Sequence, residues 1–254
     1  MPGYNYKFVE LGRFLKVVEY EREVKTGINK HCNRPLKKRN KLNFVSEGKK
    51  KETKVRGLKN KEIDDFHHLL YLNFKNYRDQ LITLTYKENV AVEKACKDFE
   101  RWIKRMRSKF GDFKYLAVRS FQKRGTIHYH VLVNIPRVPL EMLRNKEFEN
   151  IWGHGGVNIT KIYDVNVVYS QSKLSQYLVD NMQKFKKDER GYGKQAYTFS
   201  KNFKKPKVRT GNYDEFIKCL ELINLEAIDE KGYKNEYRGD VKVTIYKKKK
   251  FLKK

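Results

Sequence analysis

Alternating and three-to-four-residue hydrophobic spacings divide most of this chain into strands and helices. Residues 13–20 are strand-like. From residue 61, Ile63, Phe66, Leu69, Leu70 and Phe74 recur at helical spacing. His67 and His68, adjacent on that helix, point to different sides and read as ordinary helix residues. Residues 80–86 alternate apolar side chains with threonine and predict a central strand. Val92, Ala95, Cys96, Phe99, Trp102, Ile103 and Met106 then form one face of a helix ending near Phe110-Gly111. Its other face carries Lys94, Lys97, Arg101, Lys104, Arg105 and Arg107.

Residues 115–122 and 125–133 read as two strands joined by a tight turn at Lys123-Arg124-Gly125, hence a hairpin. Pro136 and Pro139 close the second of these. A short helix over 140–148, a glycine-rich loop holding His154 and a strand over 157–162 follow. Leu174, Leu178 and Met182 mark the stripe of a helix over 170–185, with Ser170 or Ser172 as its cap and Tyr177 at the stripe's edge. Further on, 195–200 predicts a strand, 216–225 a short helix and 241–246 a last strand. This order suits an α+β fold: a mostly antiparallel sheet with helices packed on one face, leaving the other face open. Residues 1–60 read as a basic extension, 61–206 as the core and 207–254 as a second extension.

Charge changes the picture more than length does. The 254 residues include 58 Lys plus Arg against 30 Asp plus Glu, a formal net charge of +28. Such an excess favours a polyanionic partner, because each neutralised phosphate releases condensed counterions. Seventeen tyrosines and fifteen phenylalanines among those cations suit stacking on unpaired bases. The run from Lys30 to Arg56 is too charged to order itself by burying apolar surface, and the lysine-rich end from Lys247 reads as a phosphate-binding tail. Three scattered cysteines, Cys32, Cys96 and Cys219, fit reduced thiols rather than a metal or disulfide framework. No apolar run reaches membrane-spanning length, so a cytoplasmic protein is expected.

Within the hairpin, His128 and His130 lie two residues apart on a strand, so both imidazoles point to one face. On a rigid sheet they could hold a divalent cation. Such a cation would polarise a phosphodiester, and a tyrosine hydroxyl could attack the phosphorus.

Three stretches together resemble the HUH endonucleases, specifically the rolling-circle replication initiators of plasmids and filamentous or related phages. Residues 81–86 look like the family's first motif, a DNA-contacting strand. Residues 121–130 look like its histidine, hydrophobe, histidine metal motif, and residues 177–182 like its tyrosine motif. The resemblance covers about residues 60–206. It implies an HUH-type (ferredoxin/RRM-like) sheet of about five strands, Mg²⁺ or Mn²⁺ on His128 and His130, and Tyr177 as the nucleophile that becomes linked to a 5′-phosphate. Many relatives carry an acid where this chain has Ser120, and Gln122, on the histidine face by parity, is the expected substitute ligand. Relatives often place a lysine three residues after the tyrosine, where this chain has Asp180; Lys173, one turn earlier, is expected to take over, ahead of Lys184.

DNA contacts are expected at Thr83, Thr85, Arg119, Lys123, Arg124, Lys184, Lys204 and Lys205. The implied partner is single-stranded or hairpin origin DNA in a bacterial host cell. No Gly-x-x-x-x-Gly-Lys-[Ser/Thr] loop occurs, so a host helicase and a DNA polymerase are expected as further partners, with homodimerisation left open. Rival readings are a single-tyrosine transposase or relaxase and, from another class, a non-catalytic single-strand-binding protein.

Overall fold

A computed structural model describes residues 3–25, 57–74, 79–136, 138–161, 173–222 and 224–248. The fold is mixed α+β, with two antiparallel sheets of five strands each. The basic stretch from Lys30 to Arg56, the residues proposed to cap the tyrosine helix and the end of the lysine tail lie outside the described residues.

The core sheet contains β3 (Gln80–Thr85), β4 (Tyr115–Phe121), β5 (Ile127–Val133), β6 (Val157–Lys161) and β7 (Tyr197–Phe199), in the order β6-β3-β5-β4-β7. Pairing sets Thr83 and Val118 on either side of His130, and Thr85 and Ser120 on either side of His128. Both histidines therefore share one face of β5, the central strand. Helix α2 (Val92–Phe110) covers the opposite face, where Phe99 stacks on Tyr129 with ring centroids 4.6 Å apart. Its buried Trp102 and Met106 complete that layer. The helix ends at Gly111, whose φ of 75° suits only a residue without a Cβ.

The histidine face is not open as the sequence suggests. Helix α5 (Lys173–Lys187) lies across it, burying Leu178, Val179, Met182 and Phe185. Its apolar stripe requires a partner, and the sheet's second face supplies one. Helix α1 (Asn60–Asn73) sits on the same side, with Phe66 against Tyr197 at 5.4 Å and Glu62 paired with Lys186 of α5 at 3.7 Å.

The segments flanking the core build the second sheet. Strands β1 (Tyr4–Leu11) and β2 (Phe14–Val24) form a hairpin, and β8 (Lys207–Gly211), β9 (Leu225–Asn235) and β10 (Gly239–Lys248) join it in the order β8-β1-β2-β10-β9. Helix α6 (Tyr213–Leu222) covers one face of it, where Phe216 stacks on Tyr6 at 4.9 Å. Helix α1 meets the other face through Tyr71 on Phe14 and through the buried Lys16, whose Nζ lies 2.9 Å from Asp64. The helix expected over 216–225 begins earlier and stops at Leu222, because Leu225 already starts a strand. The helix expected over 140–148 is two, α3 (Leu140–Arg144) and α4 (Glu147–Trp152), broken where Lys146 adopts a left-handed φ of 53°.

Candidate active site

The site is assembled where β5, flanked by β3 and β4, meets α5. Strand periodicity delivers His128 and His130 side by side, with ring centroids 4.5 Å apart and planes at 68°. Tyr177, in the second turn of α5, brings its hydroxyl to 3.1 Å from His130 Nε2 and 3.3 Å from Nδ1. Thr83 Oγ1 lies 3.2 Å from His130 Nδ1, so the threonine of the neighbouring strand orients the ring. His130 is 2% exposed, whereas Tyr177 is 45% exposed. The site thus has a floor of one buried and one half-buried imidazole and a phenol that opens to solvent.

Burial sets the chemistry of the floor. It lowers the pKa of His128 to about 4 and that of His130 to about 3, with the charge of Lys184 pushing both the same way. Both rings are neutral at physiological pH, as imidazole ligands must be. The same values make His130 a poor base for the phenol beside it. Burial raises the Tyr177 pKa above its ordinary value near 10. A proton passing from that phenol to an imidazole of about 3 would climb steeply in free energy.

His128 supplies the clearest sign of a ligand. Both of its ring nitrogens are buried without a hydrogen-bond partner among the described residues, and so is the hydroxyl of Ser120 opposite it. Buried polar atoms left unpaired are costly, and since one imidazole can lend a cation only one nitrogen, His128 offers a single unused donor here. No carboxylate, cysteine or further histidine joins the pair among the described residues. The residues present fit a divalent ion held by neutral donors.

The other sequence-expected residues fall into three places. Thr85 joins Thr83 beside the histidines, and its backbone is pinned there: its carbonyl accepts from Trp152 Nε1 at 3.0 Å and its N–H donates to Gly156 at 2.9 Å. A Cβ on Gly155 would stand 2.1 Å from that carbonyl, so only glycine fits. Lys184, two turns beyond Tyr177, is exposed near the imidazoles it influences. Lys173 is the exposed first residue of α5 and makes no ion pair among the described residues.

The hairpin turn holds a second set. Gln122 leaves the strand and offers its Oε1 to Arg124 Nε at 3.0 Å, while Arg124 also donates to the Tyr86 carbonyl at 2.6 Å. Lys123 is exposed at the same turn. Arg190 clamps this turn to the region after α5, donating to the Gly125 carbonyl at 2.6 Å and lying 3.9 Å over the Phe121 ring.

The third set is remote from the imidazoles. Arg119 has the opposite parity to Ser120, lies near the Tyr129 ring on the α2 face and donates to Gln195. Lys204 is tied by its backbone to Asn73 and lines a hollow with Asn134 and Pro136, past the far end of β5, with the exposed Lys205 following it. His154 is held by Asp98, 3.7 Å away, and by the rings of Tyr86 and Trp152.

Sequence reasoning missed Asn181. It is 4% exposed and donates through Nδ2 to the Tyr177 carbonyl at 2.7 Å, and its amide raises the pKa of His130 while lowering that of Tyr177, each against the larger effect of burial. The available signal was its spacing, since an asparagine four residues after Tyr177 falls on the stripe of Leu178, Met182 and Phe185.

No helix among the described residues is long and apolar enough to cross a membrane. Comparison with curated proteins and with solved structures gave no match. Residues 79–186, which carry β3, the histidine hairpin and most of the tyrosine helix, match the family model for Replication-associated protein ORF2/G2P, a match that supports a replication-initiator family.

Proposed function

We propose that the protein is a metal-dependent, strand-specific DNA nickase and strand transferase that initiates rolling-circle replication. The observation that carries this reading is the Tyr177 hydroxyl 3.1 Å from His130 Nε2, above two neutral imidazoles. The family match over the same stretch supports it.

In this reading His128 and His130 hold Mg²⁺ or Mn²⁺, which when bound draws charge from the non-bridging oxygens of the scissile phosphate. The Tyr177 oxygen attacks phosphorus, a new P–O bond forms to the tyrosine, and the bond to the 3′ oxygen breaks. The leaving strand takes up a proton as its 3′-hydroxyl and can then prime synthesis. The phenol's proton departs to solvent, to which the half-exposed Tyr177 is open, rather than to His130. One phosphodiester is exchanged for another, so attack by a 3′-hydroxyl on the phosphotyrosine rejoins DNA without a nucleotide cofactor. Lys184 and the turn cations Lys123 and Arg124 grip phosphates along the strand. Unwinding beyond the nick falls to a helicase of the host.

The test is a covalent-adduct assay. Labelled single-stranded and hairpin oligonucleotides are incubated with the protein and Mn²⁺ and run on a denaturing gel. An adduct is expected from wild type and not from Tyr177→Phe, and chelator or the double variant His128→Ala/His130→Ala should suppress it. An adduct that persists in Tyr177→Phe moves the nucleophile elsewhere, with Tyr169, outside the described residues, as the first alternative. DNA binding with no adduct across a broad panel would leave a single-strand-binding protein. Among enzymes, preference for an origin hairpin favours the initiator and preference for transposon-end hairpins the transposase.

A further inference from the structure

The helix that carries Tyr177 and the hairpin that carries the histidines are separate pieces of chain, and their 3.1 Å approach lasts only while the two stay in place. Apolar packing holds α5 down on the sheet, but such contacts are non-directional and leave its tilt loosely set. The directional contacts lie at the end of the helix. Phe185, in the last turn of α5, stacks on Phe121 of β4 with ring centroids 5.3 Å apart and planes at 11°. Five residues on, Arg190 lies 3.9 Å over the same Phe121 ring and donates through Nη1 to the Gly125 carbonyl of the hairpin turn at 2.6 Å. Asp188 holds that guanidinium still, its two carboxylate oxygens accepting from Nε at 2.8 Å and from Nη2 at 2.7 Å. Only a planar, forked cation makes all three contacts at once.

We propose that Arg190 is a positioning residue: by locking the end of α5 to the histidine hairpin it keeps the Tyr177 oxygen at its attacking position above His130, an inference that rests on the nickase reading. Tyr177 lies two turns before Phe185, about 12 Å along the helix. A tilt of about 5° at the clamped end moves it by about 1 Å, and a misplacement of about 1 Å costs on the order of a hundredfold in rate. Arg190 does this without touching the reacting atoms. Its partner Asp188 serves the same end, by fixing the direction in which the guanidinium points.

Three measurements on the full chain test this. The single-turnover rate of adduct formation is taken with Mn²⁺ at saturating labelled oligonucleotide, the oligonucleotide Kd by fluorescence anisotropy, and amide hydrogen exchange by mass spectrometry. Arg190→Lys keeps the charge but loses the fork and the planar face. It should slow adduct formation at least tenfold with Kd within twofold of wild type. Exchange should quicken in residues 173–187 and 121–127 while the second sheet keeps its protection. Asp188→Asn, which loosens the guanidinium without removing it, should slow the adduct at least threefold.

A residue that merely grips DNA gives the opposite pattern. Arg190→Lys would then act through Kd, and Asp188→Asn would tighten binding, because an acid beside a phosphate contact opposes it; that result overturns the inference. Exchange quickened throughout the chain would also overturn it, by showing a general loss of stability. Should Arg190→Lys fail to fold, an Asp188→Asn rate within twofold of wild type overturns it equally. No adduct from wild type removes the nickase reading and this inference with it, whereas a wild-type adduct with both variants unaffected removes the inference alone.

Discussion

Ser120 is fully buried, and its hydroxyl meets no partner among the described residues. A hydroxyl desolvated for nothing contributes little or negative stability, so Ser120→Ala is expected to change unfolding free energy by less than about 0.5 kcal/mol or to raise it. A loss of 1 kcal/mol or more in urea titrations would show that the hydroxyl is paired in the folded protein. The pair His128 and His130 was legible because strand parity needs only a sequence count. The approach of Tyr177 to His130 was legible only through the order of three motifs, since nothing local says which strand a helix will cross. Asn181 escaped for the opposite reason. Its role depends on a neighbour one turn away and on a sheet beneath it, neither of which a residue-type scan weighs.

At the scale of elements, α1 is the piece between two sheets. It turns Phe66 to the core sheet and Asp64 and Tyr71 to the second sheet. His67 and His68 share the helix, and burial lowers both from 6.5 to about 4, with Lys16 lowering and Asp64 raising each. The unfolded chain takes up these protons below pH 6.5, whereas the folded chain resists until about pH 4. Stability is therefore present above pH 6.5 and is lost as pH falls toward 4, by up to about 3 kcal/mol per histidine. Urea midpoints measured across that window should fall in wild type and flatten in His67→Asn or His68→Gln; parallel curves would show that neither imidazole titrates as described. Strand β3 was readable by its sharp alternation, and β4 and β5 as short apolar runs buried on both faces. Strands β8 and β9 were not: both are largely exposed edge strands, and a sequence such as that of Leu225–Asn235 carries no alternation to detect. β1, also unread, is held mainly by pairing with β2 and β8, a long-range fact invisible in a local window.

For the whole molecule, the charge of +28 predicts how binding responds to salt. If about six phosphates are engaged, affinity for single-stranded DNA should drop about three-hundredfold between 50 and 200 mM salt, measured by fluorescence anisotropy. Without metal, His128→Ala/His130→Ala should keep the same slope, because neutral imidazoles displace no counterions; a flattened slope would mean that these rings carry charge. Cations lie on α2, the hairpin turn, α5 and the second sheet, so attraction is spread widely while the chemistry is confined to one small floor. The second sheet also imposes a timetable on synthesis. Strand β2 has β10 as its neighbour on one side, and β10 leaves the ribosome more than two hundred residues after it. At about 5–20 residues per second the N-terminal hairpin waits on the order of ten seconds or more with a pairing edge exposed. β1 and β2 are thus made long before they are secured, and a nascent chain stopped before β10 would present an unpaired edge to its neighbours.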